Sequence, residues 1–335
     1  MRAFICGLKG FTLEAEERAF LRDAAPWGVI LFRRNVDAPE QITRLTADIR
    51  DALGRHAPVL VDQEGGRVQR LGPPHWRAYP AAARFELAAA NAGQAERLAW
   101  LGARLIAHDL RSVGVDVDCL PVLDAPAEDS HSIIGDRAYS RDPARVAAIG
   151  RAAAEGLMAG GVAPVMKHIP GHGRARADSH LELPVVKASR EDLELMDFAP
   201  FKANADLPMA MSAHVVYAAI DPTAPGTLSR AVIGDIVRGH VGFDGLLMTD
   251  DLSMKALSGS FRQRAENAIG AGCDIVLHCN GDLAEARPVA EGAPPLKGAA
   301  LARAEKALEC VWRPVEFFDV AEATREFDAA MRAVA

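Results

Sequence analysis

Eight short, almost unbroken apolar runs punctuate the chain: AFICG (3–7), GVILF (28–32), PVLVD (58–62), VDVDCLPVLD (115–124), VAPVMKH (162–168), PMAMSAH (208–214), GLLMTD (245–250) and CDIVLH (273–278). Longer segments with helical periodicity separate them, such as EQITRLTADIRDALGR (40–55) and QAERLAWLGARLIAHDLRSVG (94–114). In the second segment Leu98, Leu101, Leu105, Ile106 and Val113 fall on one stripe, with Asp109 the misfit. Strands that are apolar on both faces and alternate with helices predict a parallel sheet covered by helices. Eight in one unbroken series predict a closed (β/α)8 barrel of the TIM type. No linker, composition break or repeat marks a second domain, so residues 1–335 read as one barrel domain. The Ala-rich stretch from about 301 to 335 reads as a helical extension packed outside it.

Composition narrows the classes without altering this picture. Half of the 335 residues are apolar, and 38 basic against 45 acidic side chains give a net charge of −7. A nucleic-acid partner would need a basic face, which this balance does not offer. No apolar run reaches the ~20 residues of a membrane helix, so no membrane partner is expected. The N-terminus carries Glu14, Glu16 and Glu17 soon after a short apolar stretch, unlike a signal peptide, so a cytoplasmic location is expected. Cys6, Cys119, Cys273, Cys279 and Cys310 are odd in number and widely spaced, which reads as reduced thiols. The oligomeric state stays open, a monomer included.

Candidate chemistry gathers at the strand ends. The runs close on Asp62, Asp124, His168, His214, Asp250 and His278, and in a barrel all such ends emerge on the face where active sites are built. Helix capping explains an occasional Asp there but not three histidines. The densest segment is KHIPGHGRARADSH (167–180), which leaves a strand at Lys167 and His168, turns through Pro170, Gly171 and Gly173, and closes on Asp178 and His180. A loop so rich in ionisable groups suits closure over a substrate. Asp62 offers two acceptor oxygens to vicinal hydroxyls of a ligand. TDD (249–251) offers two candidate carboxylates, Asp250 and Asp251, and alternation along the strand does not decide between them.

Four segments, VDQEGGRVQRL (61–71), IIGDRAYS (133–140), KHIPGHG with DSH (167–180) and FDGLLMTDDLSM (243–254), resemble the signature segments of family 3 glycoside hydrolases. More narrowly they resemble the single-domain bacterial β-N-acetylhexosaminidases of peptidoglycan recycling. Ile169 stands where Phe is commoner in that family, and RARA (174–177) is an unusually basic lead into DSH.

The resemblance implies a retaining exo-β-N-acetylglucosaminidase. Its substrate would be a small carbohydrate or muropeptide, N-acetylglucosamine β-linked to an anhydro-muramic acid with or without peptide. No cofactor and no metal are implied. The family's nucleophile is the Asp directly after Ser or Thr, here Asp250, which would form a covalent glycosyl-enzyme. For Asp251 the alternative is a cap on the following helix. His180, with Asp178 two residues earlier, would serve as acid and then base; imidazole titrates near neutrality and a neighbouring carboxylate fixes its tautomer. Asp178 as the acid, with His180 a spectator, stays open. Arg70, Arg137, Lys167 and His168 are implied as sugar contacts, although Arg137 also has the option of pairing with Asp136 or another loop acid. His172 and His214 are as suited to bracing a loop as to touching ligand. Three other readings stand beside this one: a phosphorylase, toward which the RARA run points; a metal-dependent hydrolase using His168 and His172; and a sugar-binding protein without catalysis.

Overall fold

In the computed structural model of the protein, residues 1–128, 132–175, 179, 182–315 and 317–332 are described. The eight apolar runs form eight parallel strands in sequence order: β1 (Arg2–Gly7), β2 (Pro26–Leu31), β3 (Val59–Val61), β4 (Val117–Asp118), β5 (Ala163–Ile169), β6 (Met209–Ser212), β7 (Leu246–Asp251) and β8 (Ile275–His278). Each pairs with its neighbours in sequence, and β8 returns to β1 with Cys6 opposite His278, so the sheet closes. The (β/α)8 barrel expected from the sequence is the observed fold.

Alternation sorts the strand residues between two apolar clusters. Ala3, Ile5, Ile30, Leu60, Val117, Val165, Met209, Met248, Ile275 and Leu277 fill the barrel interior. Their neighbours Phe4, Val29, Val61, Met166, Ala210, Leu247 and Val276 face the surrounding helices. Both faces are dry, which is why the runs lack a polar partner face in the sequence. β4 is much shorter than its ten-residue run, because Pro121 has no N–H for the ladder and Val122 meets Lys167 only as an isolated bridge.

Long helices cover the outside, among them α1 (Ala15–Ala24), α2 (Pro39–Leu53), α3 (Ala92–Ser112) and α4 (Pro143–Ala159). Asp109, the misfit on α3, accepts a hydrogen bond from the Tyr79 hydroxyl at 2.7 Å. The last helix, α5 (Val320–Met331), packs on the outer surface, with Phe327 6.1 Å from Phe85 and Asp328 paired to Arg77. The short helices before it add a second function. Ala304, Ala307, Leu308 and Val311, together with Leu296, join the interior cluster and so close the lower mouth of the barrel. Access to the interior is thereby left to the upper face, where the strands end. Among the described residues no helix is long and apolar enough to cross a membrane.

Candidate active site

Six of the strands carry side chains into an upper cavity, at or just beyond their C-terminal ends. Ile30 leads to Phe32, Leu60 to Asp62 and Glu64, Val165 to Lys167, Met209 to Met211, Met248 to Asp250, and Leu277 to Cys279. All of these line one cavity of about 220 Å³, with Arg70, Arg137 and His168 on its walls. That is slightly below the usual range for drug-sized ligands and suits a single ring. A larger depression of about 500 Å³ lies near the lower mouth between Leu207, Gly245 and Arg303. There Arg303 is committed to Asp244 and Asp274, and Arg313 to Glu309. It lacks the ring of strand-end groups, so the chemistry belongs to the smaller cavity.

A compact ion network forms one side of that cavity. Lys167 Nζ lies 2.7 Å from Asp62 and 2.6 Å from Glu64. Arg70 donates to the other oxygen of Asp62 at 2.9 Å, and Arg137 grips Glu64 with two bonds of 2.8 Å. Burial works to raise both carboxyl pKa values, but Lys167 with Arg70 or Arg137 holds them below the ordinary range. Burial likewise works to neutralise Lys167, and the two carboxylates override it and raise its pKa. The cavity wall is therefore ionised and fixed. Each oxygen of Asp62 still has a lone pair for a hydroxyl beyond the bond it accepts from its cation. Arg137 thus does pair with a loop acid, Glu64 of the hairpin after β3; Asp136 goes to Arg67 at 3.0 Å.

The hairpin after β3 delivers two of these groups and is held by buried amides. Gln63 accepts from the backbone N–H groups of Arg70 and Leu71, each at 3.0 Å, and donates to the Leu71 carbonyl. Its own N–H donates to Asp118 at 2.9 Å. Burial pushes the pKa of Asp118 far up, and its second oxygen has no partner among the described residues.

His168, the residue after Lys167, also lines the cavity. Its Nδ1 is 2.7 Å from Asp124, leaving Nε2 as the ring atom toward the cavity. Asp124 is fully buried and also accepts from the backbone N–H of His172 at 2.6 Å. Burial favours its neutral form, but His168 and His172 prevail and keep its pKa low. The two glycines that follow β5 serve close approach more than motion. A Cβ on Gly173 would lie 2.0 Å from the Ala125 carbonyl oxygen, and Gly171, at φ +144°, abuts Asp197. Arg174 bonds the buried Asp197 at 2.6 Å, so this member of the basic run is engaged inside the protein. Asp178 and His180 lie outside the described residues, as does Arg176.

Asp250 and Asp251 both line the cavity but make different bonds. Asp250, two residues beyond interior Met248, accepts from the Asp251 N–H at 2.7 Å and lines the cavity. Asp251 accepts from Ser253 N at 2.9 Å, Ser253 Oγ at 2.5 Å and Cys279 N at 3.0 Å, tying the ends of β7 and β8 together. It caps no helix, because the next helix begins at Phe261 and is capped by Ser260. His214 is a brace: Nδ1 lies 2.8 Å from Thr227 Oγ1 and Nε2 3.1 Å from the Asp251 carbonyl. His278 is buried beneath Phe261, with ring centroids 5.2 Å apart, and is not a cavity residue. Among the described residues no group of three or more His, Cys, Asp or Glu side chains is arranged to hold a metal ion.

The description "glycosyl hydrolase family 3 N terminal domain" belongs to a family model that matches residues 6–308. The chain is a member of glycosyl hydrolase family 3. It is 40% identical over 277 residues to a beta-hexosaminidase of Nitrosomonas eutropha, covering 82% of this chain and 79% of that protein. A beta-hexosaminidase of Methylococcus capsulatus is 42% identical over 278 residues, covering 82% and 81%. Native NagZ from Neisseria gonorrhoeae superposes with a TM-score of 0.85 at 33% identity, over 99% of this chain and 96% of that one. The same protein in complex with N-trifluoroacetyl-D-glucosamine gives the same TM-score and identity, over 99% and 97%.

One group at the site of this family 3 chain, Glu64, escapes a reading of strand ends, and for a second, Asp124, the partners escape it. Glu64 shares the parity of Asp62 two residues earlier, and that was its available signal. Asp124 stands out in the sequence as a strand end, but its bonds to His168 and His172 depend on a neighbouring strand and carry no local signature.

Proposed function

We propose that this family 3 chain is a retaining exo-β-N-acetylglucosaminidase, with Asp250 as the nucleophile. The observation that carries the reading is the company Asp250 keeps. The Asp250 carboxylate lines a ring-sized cavity together with His168 and an ionised wall of Asp62, Arg70, Glu64, Arg137 and Lys167. Asp62, Arg70, Arg137, Lys167 and His168 bind the terminal sugar through its hydroxyls. A carboxylate beneath the anomeric carbon then displaces the aglycone, and water releases the glycosyl group. The beta-hexosaminidase names of the relatives and the N-acylated glucosamine bound by the gonococcal neighbour support a 2-acetamido sugar. The aglycone we assign is an anhydro-muramic acid, with or without peptide. A cytoplasmic location accords with the five free thiols. Hydrolysis of a chromogenic β-N-acetylglucosaminide, with products analysed in the presence and absence of phosphate, tests the reaction class. Free N-acetylglucosamine under both conditions is the expected result, and a sugar 1-phosphate would redirect the assignment to a phosphorylase.

His180, assisted by Asp178, is assigned as acid and then base on the sequence pattern. An imidazole is suited to protonating the leaving oxygen and later deprotonating water near neutral pH. His180→Ala should lower turnover of substrates with poor leaving groups by roughly 10²–10⁴-fold. Activated aryl substrates, which need little protonation, should be hurt far less. If Asp178→Ala shows that selectivity and His180→Ala does not, the carboxyl is the acid.

A further inference from the structure

Two pairs of consecutive residues, Lys167 with His168 and Asp250 with Asp251, line the same cavity. On a regular strand neighbours point to opposite faces, so neither pair could do this without an irregularity. Both strands carry one. The two steps from Lys167 to Ile169 on β5 oppose the single step from Met211 to Ser212 on β6. The three steps from Met248 to Asp251 on β7 oppose the two from Ile275 to Leu277 on β8. Such bulges re-aim side chains but break the ladder, and the backbone groups they free need other partners. In β7 side chains supply them. Thr249 Oγ1 accepts the Leu277 N–H at 2.9 Å, and Asp251 Oδ1 accepts that of Cys279 at 3.0 Å. The Asp251 carbonyl is met by His214 Nε2 at 3.1 Å.

His214 follows β6, the strand that lies between the two bulges. One residue earlier, the Ala213 N–H donates to the Ile169 carbonyl at 2.9 Å, just past the bulge in β5. Consecutive residues of one strand end therefore hold both. The imidazole is fully buried, and its hydrogen bonds have one consistent sense. A carbonyl only accepts, so Nε2 carries the proton toward Asp251. Burial, against the pull of Asp250 and Asp251, lowers the pKa of the ring and keeps it neutral. Nδ1 then has a lone pair and accepts from the Thr227 hydroxyl at 2.8 Å. The Ala213 carbonyl, at 3.1 Å, is the more distant acceptor for that hydroxyl proton. Ser212 Oγ, 2.7 Å from Thr227 Oγ1, donates to it in turn.

We infer that His214, oriented by Thr227, is a positioning residue for the nucleophile: by holding the Asp251 carbonyl it fixes the bulge that turns Asp250 into the cavity, in register with the Lys167 and His168 edge that binds the sugar. His214 itself does not line the cavity. This deepens the proposed function and rests on its assignment of Asp250 as the nucleophile.

The test uses the full chain and two reagents. One is an activated aryl β-N-acetylglucosaminide, which needs little protonation of its leaving group. The other is a 5-fluoro derivative of an N-acetylglucosaminyl fluoride, which traps a glycosyl-enzyme. Misplacing a reacting group by about 1 Å costs on the order of 10²-fold. His214→Leu keeps most of the volume and loses both nitrogens. It should lower kcat/KM and the rate constant for covalent labelling by roughly that factor, with little change in the affinity for N-acetylglucosamine as a competitive inhibitor. Thr227→Val should act in the same direction, and Thr227→Ser, which keeps the hydroxyl, should restore most of the rate. The double variant His214→Leu with Thr227→Val should lose no more than His214→Leu alone, because both act through one contact. Rates are compared per folded molecule, below the thermal transition of each variant. An unchanged labelling rate in folded His214→Leu, an equal loss of N-acetylglucosamine affinity, or additive losses would overturn the inference. So would failure of Thr227→Ser to restore what Thr227→Val loses. Should His214→Leu fail to fold, the Thr227 Val and Ser pair decides alone. Peptide mapping of the labelled parent separates this inference from the reading beneath it. Label on Asp250 with unchanged rates in the variants removes only the positioning role. Label on another residue removes the nucleophile assignment and the inference with it.

Discussion

Asp250→Asn should reduce turnover of a β-N-acetylglucosaminide by at least ~10⁴-fold, the scale seen when a covalent nucleophile is removed, and leave thermal unfolding close to that of the parent. The amide keeps the size of the carboxylate, and its oxygen can still accept the Asp251 N–H that Asp250 accepts at 2.7 Å. What it lacks is the charge and nucleophilicity that attack at the anomeric carbon demands. Asp251→Asn is the informative companion. Asp251 joins Ser253 to Cys279 across the ends of two strands, so its loss should appear first as lower stability. Chromogenic turnover and a thermal melt on the two variants separate these roles. Strong activity in Asp250→Asn would remove that residue from the chemistry.

The second large effect concerns Lys167, which lies between Asp62 and Glu64 and is 2% exposed. Lys167→Met fits the same volume but leaves two buried carboxylates with one arginine each. Breaking a buried ion pair from one side costs about 3–5 kcal/mol, and sugar binding should fail with it. The loss should depend on pH with a defined sign. Asp62 and Glu64 have depressed pKa values in the folded protein, so their contribution is present above the ordinary carboxylate pKa of about 4 and is lost as pH falls toward their folded values. The stability gap between parent and variant should therefore be widest near neutrality and narrow below about pH 4. Denaturant unfolding at a series of pH values reads it directly, and a gap that widened on acidification would contradict the network as described.

Strand number, order and direction were legible because each barrel strand is apolar on both faces and six of the eight runs stop at a polar group. What stayed hidden was parity. In GLLMTDD, Leu246, Leu247 and Met248 give no contrast between interior and helix-facing positions, so neither Asp is singled out. The strand also shifts register between Met248 and Asp251, so both carboxylates reach the cavity, and they differ in that Asp251 is tied to Ser253 and Cys279. The closure of the lower mouth was hidden for a related reason. Ala304 and Ala307 are too small to draw a strong apolar stripe, yet they fit tightly beneath the barrel. The pairing of Arg137 with Glu64 joins residues 73 apart in sequence, while Asp136 offered a nearer acid that the fold gives to Arg67. His214, one of the six strand-end groups, serves Thr227 and the Asp251 backbone, because a strand end can support its neighbour as readily as it can meet a ligand.

The most direct test of the account is to trap the glycosyl-enzyme. Incubation with a 5-fluoro derivative of an N-acetylglucosaminyl fluoride, which slows both steps but releases its leaving group readily, should add one glycosyl group to the intact protein, seen by mass spectrometry. Peptide mapping should then place that group on the side chain of Asp250. A label on any other residue, or turnover of the reagent without a covalent adduct on the parent protein, would contradict the assignment of that carboxylate as the nucleophile.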